Sequence, residues 1–343
     1  VALGLIIAIS IVFDVSEKVD DFMGKHGKIP TTGEIVFDYY LNFIPYFAGL
    51  FAPLFVFISV IYFTSRMAFR SEIIAILASG VSYRRFLAPF AFTALLVSVF
   101  LIFFINFIIP RSNLKKVAFE KEYFGQRNWA PRNIHRRITE NEFLYLEFWM
   151  AKASTGNKFS IERFDDFGLR YKLMAQSVKY DSLTGRWKLN TILERFISPE
   201  GEFIRRSEEM DTIFSFTPQL FNDRNLDVST MDWFELNTFI SEEISMGSTL
   251  VPYYLVEKYK RLATPFSTLI LTLIAVPLAG RKVRGGIGLH IGIGIGLGFT
   301  YIFFDKVSTT YAVSGMMNPL FAVWLPNIIF LFVAIYLLSK AQR

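Results

Sequence analysis

Few residues of this chain are placed to do bond chemistry. There is no cysteine, which excludes a thiolate nucleophile, a thiolate metal site and a disulfide framework. The Gly-x-Ser-x-Gly and His-Glu-x-x-His patterns are missing, and so is the phosphate loop Gly-x-x-x-x-Gly-Lys-Ser/Thr. His290 stands in an apolar run with no second histidine or carboxylate placed to join it. It reads as a hydrogen-bonded packing residue rather than a metal ligand or proton relay. The expectation is a chain with no catalytic residue, no metal and no cofactor of its own, whose polar groups dock and bind.

Three sets of residues are candidates for that work. The first is Ser71-Glu72-Ile73-Ile74-Ala75-Ile76-Leu77-Ala78-Ser79-Gly80, a short apolar helix with Ser71 as N-cap and Gly80 closing its C-terminal end. Charges bracket it, so it lies outside the bilayer and needs a cover. Either Ser71, Glu72, Ile73, Ile76, Leu77 and Gly80 dock into a groove on a cytoplasmic partner, or the helix folds under its own bundle. The second set is a glycine run from Gly285 to Gly298. Gly288, Gly292 and Gly296 recur every fourth residue, and Gly294 pairs with Gly298. Such spacing lets helix backbones approach closely in lipid, as static packing or as a seam that opens at a gate. The third set is basic. Lys18, Lys25 and Lys28 follow the first apolar run, and Lys258, Lys260 and Arg261 lead into a later one. They could meet the phosphates of an anionic lipid headgroup, or simply snorkel to the interface.

The elements that must position these groups are membrane helices. Hydrophobic residues make up 52% of the 343 and charged residues only 19%, against about 25% in a soluble domain. Phenylalanine, with 38 copies, crowds into uncharged runs. Tyr39–Ser65, Phe86–Pro110, Leu262–Gly280, Gly285–Phe304 and Val307–Ser339 are each long enough to span, the last together with a turn. Val1–Phe13 is too short and reads as the end of a first membrane helix rather than a signal peptide. Six membrane helices are expected. Arg66, Arg70, Arg84 and Arg85 share one side with Arg281, Lys282, Arg284, Lys340 and Arg343, which puts both termini in the cytoplasm.

Residues 113–250 differ from the rest. They carry 19 basic and 21 acidic residues, whereas the remainder holds 17 basic and 9 acidic. The net charge of +6 is therefore a topology signal, not a nucleic-acid footprint. Within this segment the hydrophobic period drops to two. Glu142–Trp149, Lys158–Arg163, Leu169–Tyr180, Arg186–Ile197 and Glu202–Met210 read as strands. Turn signals separate them at Ser154–Asn157, Asp165–Gly168, Asp181–Gly185 and Ser198–Gly201. An antiparallel sandwich or open barrel outside the cytoplasm is expected. Asp232–Met246 then reads as an amphipathic helix with Asp232 as its N-cap. The domains expected are 1–112, with three membrane helices and the short cytoplasmic helix near 70–80; 113–250, the β-domain; and 251–343, three further membrane helices.

These residues resemble a family. Ser65-Arg66, Ser71-Glu72, Ala78-Ser79-Gly80-Val81-Ser82 and Arg84-Arg85 are similar to the coupling-helix segment of the LptF/LptG permeases. Ile108-Ile109-Pro110-Arg111-Ser112-Asn113 resembles that family's third-helix exit. Tyr259–Phe266, Val276–Gly280, the glycine run and Trp324-Leu325-Pro326-Asn327 resemble its C-terminal half. The β-domain matches in pattern only, and leans to the LptG side.

The resemblance implies a 3+3 helical membrane protein with a periplasmic jellyroll-like β-domain in the bacterial inner membrane. It implies a sister permease to complete an LptF/LptG heterodimer, a cytoplasmic ATPase dimer holding ATP and Mg, a membrane-anchored LptC-like subunit and a periplasmic bridge. The substrate would be lipopolysaccharide. Glu72 matches the acidic residue that contacts the ATPase, and the glycine-rich helix would line a lateral gate with the first helix. Lys18 and Lys25 fall where the family presents basic residues to lipid A phosphates. An alternative from another class is a membrane receptor whose β-domain binds a ligand. That reading needs a cytoplasmic output partner, because the cytoplasmic parts of the chain are short.

Overall fold

The computed structural model describes residues 2–25, 27–124, 132–221, 228–281, 283 and 286–341. The chain forms two compact units, one of residues 1–125, 229–236 and 252–343, the other of residues 126–228 and 237–251. Of the basic positions used to orient the chain, Lys282, Arg284 and Arg343 lie outside the described residues, as does Gly285 of the glycine run.

The first unit is helical. In chain order the helices are α1 (Ala2–Phe22), α2 (Thr32–Phe69), α3 (Glu72–Ala78), α4 (Tyr83–Tyr123), α5 (Trp233–Ser245), α6 (Val251–Ala279), α7 (Gly286–Val313) and α8 (Pro319–Ala341). Only the start of α5 belongs to this unit. Among the described residues five helices are long and apolar enough to cross a membrane: α2, α4, α6, α7 and α8. Six were expected. α1 is helical as far as Phe22, but Asp14, Glu17, Lys18, Asp20 and Asp21 fill its second half and keep it from qualifying. Two boundaries also move. α4 runs to Tyr123, well past residue 112, and α7 carries on through Asp305 and Lys306 to Val313.

Local chemistry explains the helix irregularities. α2 begins on a capping box: the Glu34 N–H donates to Thr31 Oγ1 at 3.3 Å, and the Thr31 N–H donates to Glu34 Oε2 at 2.7 Å. α2 and α4 each contain a π-turn, at Ile35–Tyr40 and Phe104–Ile108. A π-turn misplaces backbone carbonyls, and in lipid no water can satisfy them. Asparagine supplies the missing donor both times. Asn42 Nδ2 donates to the Phe37 and Asp38 carbonyls at 3.0 and 2.9 Å, and Asn106 Nδ2 donates to that of Ile102 at 2.8 Å.

α6 is the most enclosed span. Its Tyr259–Phe266 motif fastens it in several directions. Lys260 pairs with Asp305 of α7 at 3.4 Å. The Ala263 carbonyl accepts from Asn327 Nδ2 of α8 at 3.0 Å, and Asn327 Oδ1 accepts from the Tyr301 hydroxyl at 3.1 Å. The Pro265 carbonyl accepts from Ser98 Oγ of α4 at 2.9 Å. Phe266 lies 5.3 Å from the Trp324 ring. Motifs far apart in sequence are thus one packing junction.

The second unit is a six-stranded antiparallel meander in the order β1 to β6: Arg132–Thr139, Glu142–Met150, Thr155–Asp165, Gly168–Asp181, Arg186–Ser198 and Gly201–Thr212. β1 was not foreseen, and the expected turn at Ser154–Asn157 is displaced. The chain turns over Ala151–Ser154, and Thr155 already pairs with Lys179. The tight turns are otherwise at the expected sites. At Asp181 the carboxylate accepts from the Leu183 N–H at 3.0 Å and from the Thr184 hydroxyl at 2.9 Å, which holds it below the usual carboxylate range.

One apolar face of the sheet carries the core, with Leu144, Leu146, Trp149, Phe159, Leu173, Trp187 and Leu189 buried. The chain after β6 returns across it through Phe214, Phe216 and Phe221. The in–out alternation slips once, along a row that crosses the strands. Pairing skips from Leu146↔Phe159 to Phe148↔Asn157, and from Ala175↔Ile192 to Ser177↔Asn190. Lys158 and Thr191 on this row have φ of 52°, which lets the strand re-present apolar side chains to the same face. Inside this unit, Arg136 and Glu243 form a buried ion pair at 3.2 Å.

Asp232 caps α5 as expected. Its Oδ1 accepts from the Phe234 and Glu235 N–H groups at 2.8 and 2.9 Å. Leu236, Phe239 and Ile240 of this helix are buried, whereas Phe234 and Ile244 are exposed.

Candidate functional site

α3 is a two-turn apolar helix held by a single deep anchor. Ile73 is 3% exposed and packs with Ala68, Phe86 and Val276, while Ile76 leans on the same cluster. Gly280, at the end of α6, comes close to the same side chain: a Cβ there would lie 3.8 Å from Ile73 Cδ1. Of the six residues expected to dock outward, Ile73 and Ile76 therefore face the bundle. Glu72, Leu77 and Gly80 face out and are joined by Ile74, 58% exposed. Ser71 holds the N-cap position expected, and its carbonyl accepts from the Ala75 N–H at 3.1 Å. It takes a left-handed conformation (φ 60°) that turns the chain out of α2, and it makes no side-chain cap. Gly80, at φ 88°, closes the helix as foreseen. Glu72 has Arg70 as a neighbour at 3.9 Å, an exposed and weak pairing.

α7 has two glycine faces. His290, Gly294 and Gly298, four residues apart, are buried. His290 Nδ1 shares a 2.8 Å hydrogen bond with Ser65 Oγ of α2. A Cβ on Gly294 would lie 2.2 Å from Ile61 Cδ1, and one on Gly298 would lie 2.5 Å from Leu54 Cδ1. These glycines exist because α2 side chains occupy their space. Gly288, Gly292 and Gly296 form the other face, where an added Cβ meets nothing within 4 Å.

The basic candidates divide sharply. Lys18 is 13% exposed and enclosed by its own chain. It pairs with Asp14 one turn earlier at 2.9 Å and with Glu120 of α4 at 3.6 Å, and it donates to the Tyr39 hydroxyl. Asp14 in turn accepts from the hydroxyls of Tyr39 and Tyr40, each at 3.2 Å. An aromatic shell of Phe22, Phe119 and Phe124 surrounds the cluster. It ties α1 to α2 and α4. The only hint of it in the sequence is the Asp14–Lys18 spacing, which puts both on one helix face.

Lys25 is exposed, and Lys28 meets Glu122 at the surface at 2.9 Å. Lys258 lies 5.8 Å from the centre of the Trp233 ring. Lys260 is committed to Asp305, and Arg261, 7% exposed, donates to the Met231 carbonyl at 2.8 Å. No group of three or more histidine, aspartate or glutamate side chains able to hold a metal ion occurs among the described residues.

No individually curated protein matched the chain in direct sequence comparison. A family match spans residues 1–340, and its description is "Lipopolysaccharide export system permease LptF/LptG". It covers the apolar helices, the glycine-rich α7 and the sheet together, and on it the chain belongs to the LptF/LptG family of lipopolysaccharide export permeases.

Proposed function

We propose that this chain is one permease half of an ATP-driven transporter that lifts lipopolysaccharide out of the inner membrane and passes it to a periplasmic bridge. A sister permease completes the membrane unit, with this chain on the LptG side. A cytoplasmic ATPase dimer holds ATP and magnesium, and an LptC-like subunit joins the assembly. In this reading α1 is the sixth membrane helix, both termini are cytoplasmic, and the sheet is a periplasmic jellyroll-like domain. Among the basic groups, Lys25 and Lys28 are the exposed ones past α1 and the candidates to meet lipid A phosphates.

The observation that carries the proposal is the outward face of α3. Ile74 and Leu77 are uncovered beside Glu72 on a helix too short to span, anchored to the bundle through Ile73 and Ile76. An apolar helix at the membrane edge with an acidic residue in its first turn suits a groove on a soluble partner. A push on it reaches α4 through Phe86 and α6 through Val276.

The test is a reconstituted complex with its ATPase, comparing wild type with Glu72→Arg. The expected result is an assembly that hydrolyses ATP but releases lipopolysaccharide at least tenfold more slowly. Normal release with the charge reversed would remove α3 as the docking element.

A further inference from the structure

An apolar groove of about 820 Å³ opens in the helical unit between α2 and α4, with Leu3 of α1 along one edge and Ile76 of α3 at one end. Its walls are Val56, Val60, Phe63, Phe86 and Phe90. Phe90 stands 6.1 Å from Phe63 and 5.5 Å from Phe86, so the rings form a continuous wall. Arg85, in the first turn of α4, is the sole charged residue of the lining among the described residues. It is exposed and forms no ion pair with a described carboxylate.

Three features decide what fits. The first is length. Along α4 the lining runs from Arg85 to Val97. At 1.5 Å per residue that is about 18 Å. One leaflet contributes about 15 Å of a bilayer's hydrocarbon core, and a membrane-spanning helix needs about 30 Å. The groove is therefore one leaflet deep, too short to seat a partner's transmembrane helix. The second is polarity. The cation stands at one end and the remaining walls are apolar apart from hydroxyls such as Ser59 and Thr93. The third is volume, which lies within the roughly 300–1,000 Å³ of small-molecule sites. A basic group at the headgroup level of a pocket between membrane helices is a recognised way of holding anionic lipid.

We infer that this groove is a binding site for an anionic glycerophospholipid of the leaflet at the basic end of the bundle, with its phosphate on Arg85 and an acyl chain along Phe63, Phe86 and Phe90. The site is separate from the outward glycine face of α7 and from the Lys25 and Lys28 side of the chain. Ile76 gives it a consequence. The bound chain braces α3 from beneath, so lipid at this site and a partner on the outer face of α3 would press on opposite sides of one short helix.

The experiment is native mass spectrometry of the full chain in detergent after delipidation, titrated with phosphatidylglycerol or phosphatidylcholine. The wild type should keep phosphatidylglycerol in preference to phosphatidylcholine. Arg85→Gln should weaken retention about fivefold, the worth of one basic group near an anionic surface. Arg84→Gln, one residue outside the lining, should not. Thr93→Trp, at an exposed lining position, should fill the groove and abolish retention of either lipid there. A phosphatidylglycerol with a diazirine on its acyl chain should label the peptides carrying Phe63 and Phe90 in wild type and not in Thr93→Trp. Equal retention of the two lipids, equal effects of Arg84→Gln and Arg85→Gln, or labelling that Thr93→Trp leaves intact would each overturn the assignment. The readout is lipid retention, so it stands or fails separately from the export function.

Discussion

The two glycine faces of α7 use one residue type at one spacing for opposite ends. On the inner face, Gly294 and Gly298 are absences that α2 has filled. On the outer face, Gly288, Gly292 and Gly296 are absences that no described residue fills. A four-residue glycine spacing reports that some backbone or side chain needs room; it does not say whose. α3 repeats the division on two turns of helix, with Ile73 sunk into its own bundle and Ile74 and Leu77 left outside. In both helices one stripe packs into the fold, and the opposite stripe is left uncovered among the described residues.

The inner stripe gives the largest expected effects. Gly294→Leu places carbon where Ile61 Cδ1 already lies, with Ile61 itself 1% exposed and unable to swing away. Overpacking of this kind costs about 1–3 kcal/mol and occasionally more, and the three Ile61 side-chain atoms within 4 Å of the new Cβ put it at the upper end. Thermal unfolding of the purified variant in detergent should show a clear drop in midpoint. Ile61→Ala in the same chain should recover part of it. If Gly294→Leu unfolds at the wild-type midpoint, α2 and α7 do not touch as described. Ile73→Ala comes next. Removing a buried isoleucine costs about 2–5 kcal/mol, and a site at the edge of the bundle belongs near the low end. Protease sensitivity of the link between α2 and α4 is the direct readout, because α3 should detach before the membrane helices do.

How much of this was legible in the sequence depends on where partners lay. Five of the six expected spans, and most turns and caps, are local and were readable: Asp232 caps α5, Gly80 ends α3, and Asp181 and Gly185 build the turn they suggested. Facing is not local. Nothing in Lys18 says that Glu120, about a hundred residues away, shares its pocket, so a residue read as open to lipid phosphate is enclosed by carboxylates. Arg261 and Lys260 likewise read as interfacial but hold α6 to neighbouring segments. β1 was missed because Arg132, His135, Arg136 and Arg137 interrupt its apolar positions, and Arg136 is accommodated by an ion pair with Glu243. The slip at Lys158 and Thr191 was equally hidden, since a positive φ at a non-glycine residue leaves no mark in composition.

The outer stripes give the smallest effects on the fold and the most telling ones on assembly. Gly292→Leu adds a side chain in open space, so stability should stay within about 0.5 kcal/mol of wild type. What should change is association: co-purification with the sister permease, or lipid crosslinking between the two, should fall severalfold. Glu72→Lys should leave unfolding unmoved for the same reason, because its pairing with Arg70 is exposed and long. The pair of variants sharpens the comparison when combined with the inner ones. If Gly292→Leu destabilised the isolated chain as much as Gly294→Leu does, the outer face would be a packing surface after all. If instead Gly292→Leu kept both stability and association, its openness would be ordinary lipid exposure. Only intact folding with lost association makes the outer glycines an interface, and that outcome requires the purified chain and the assembled complex to be measured side by side.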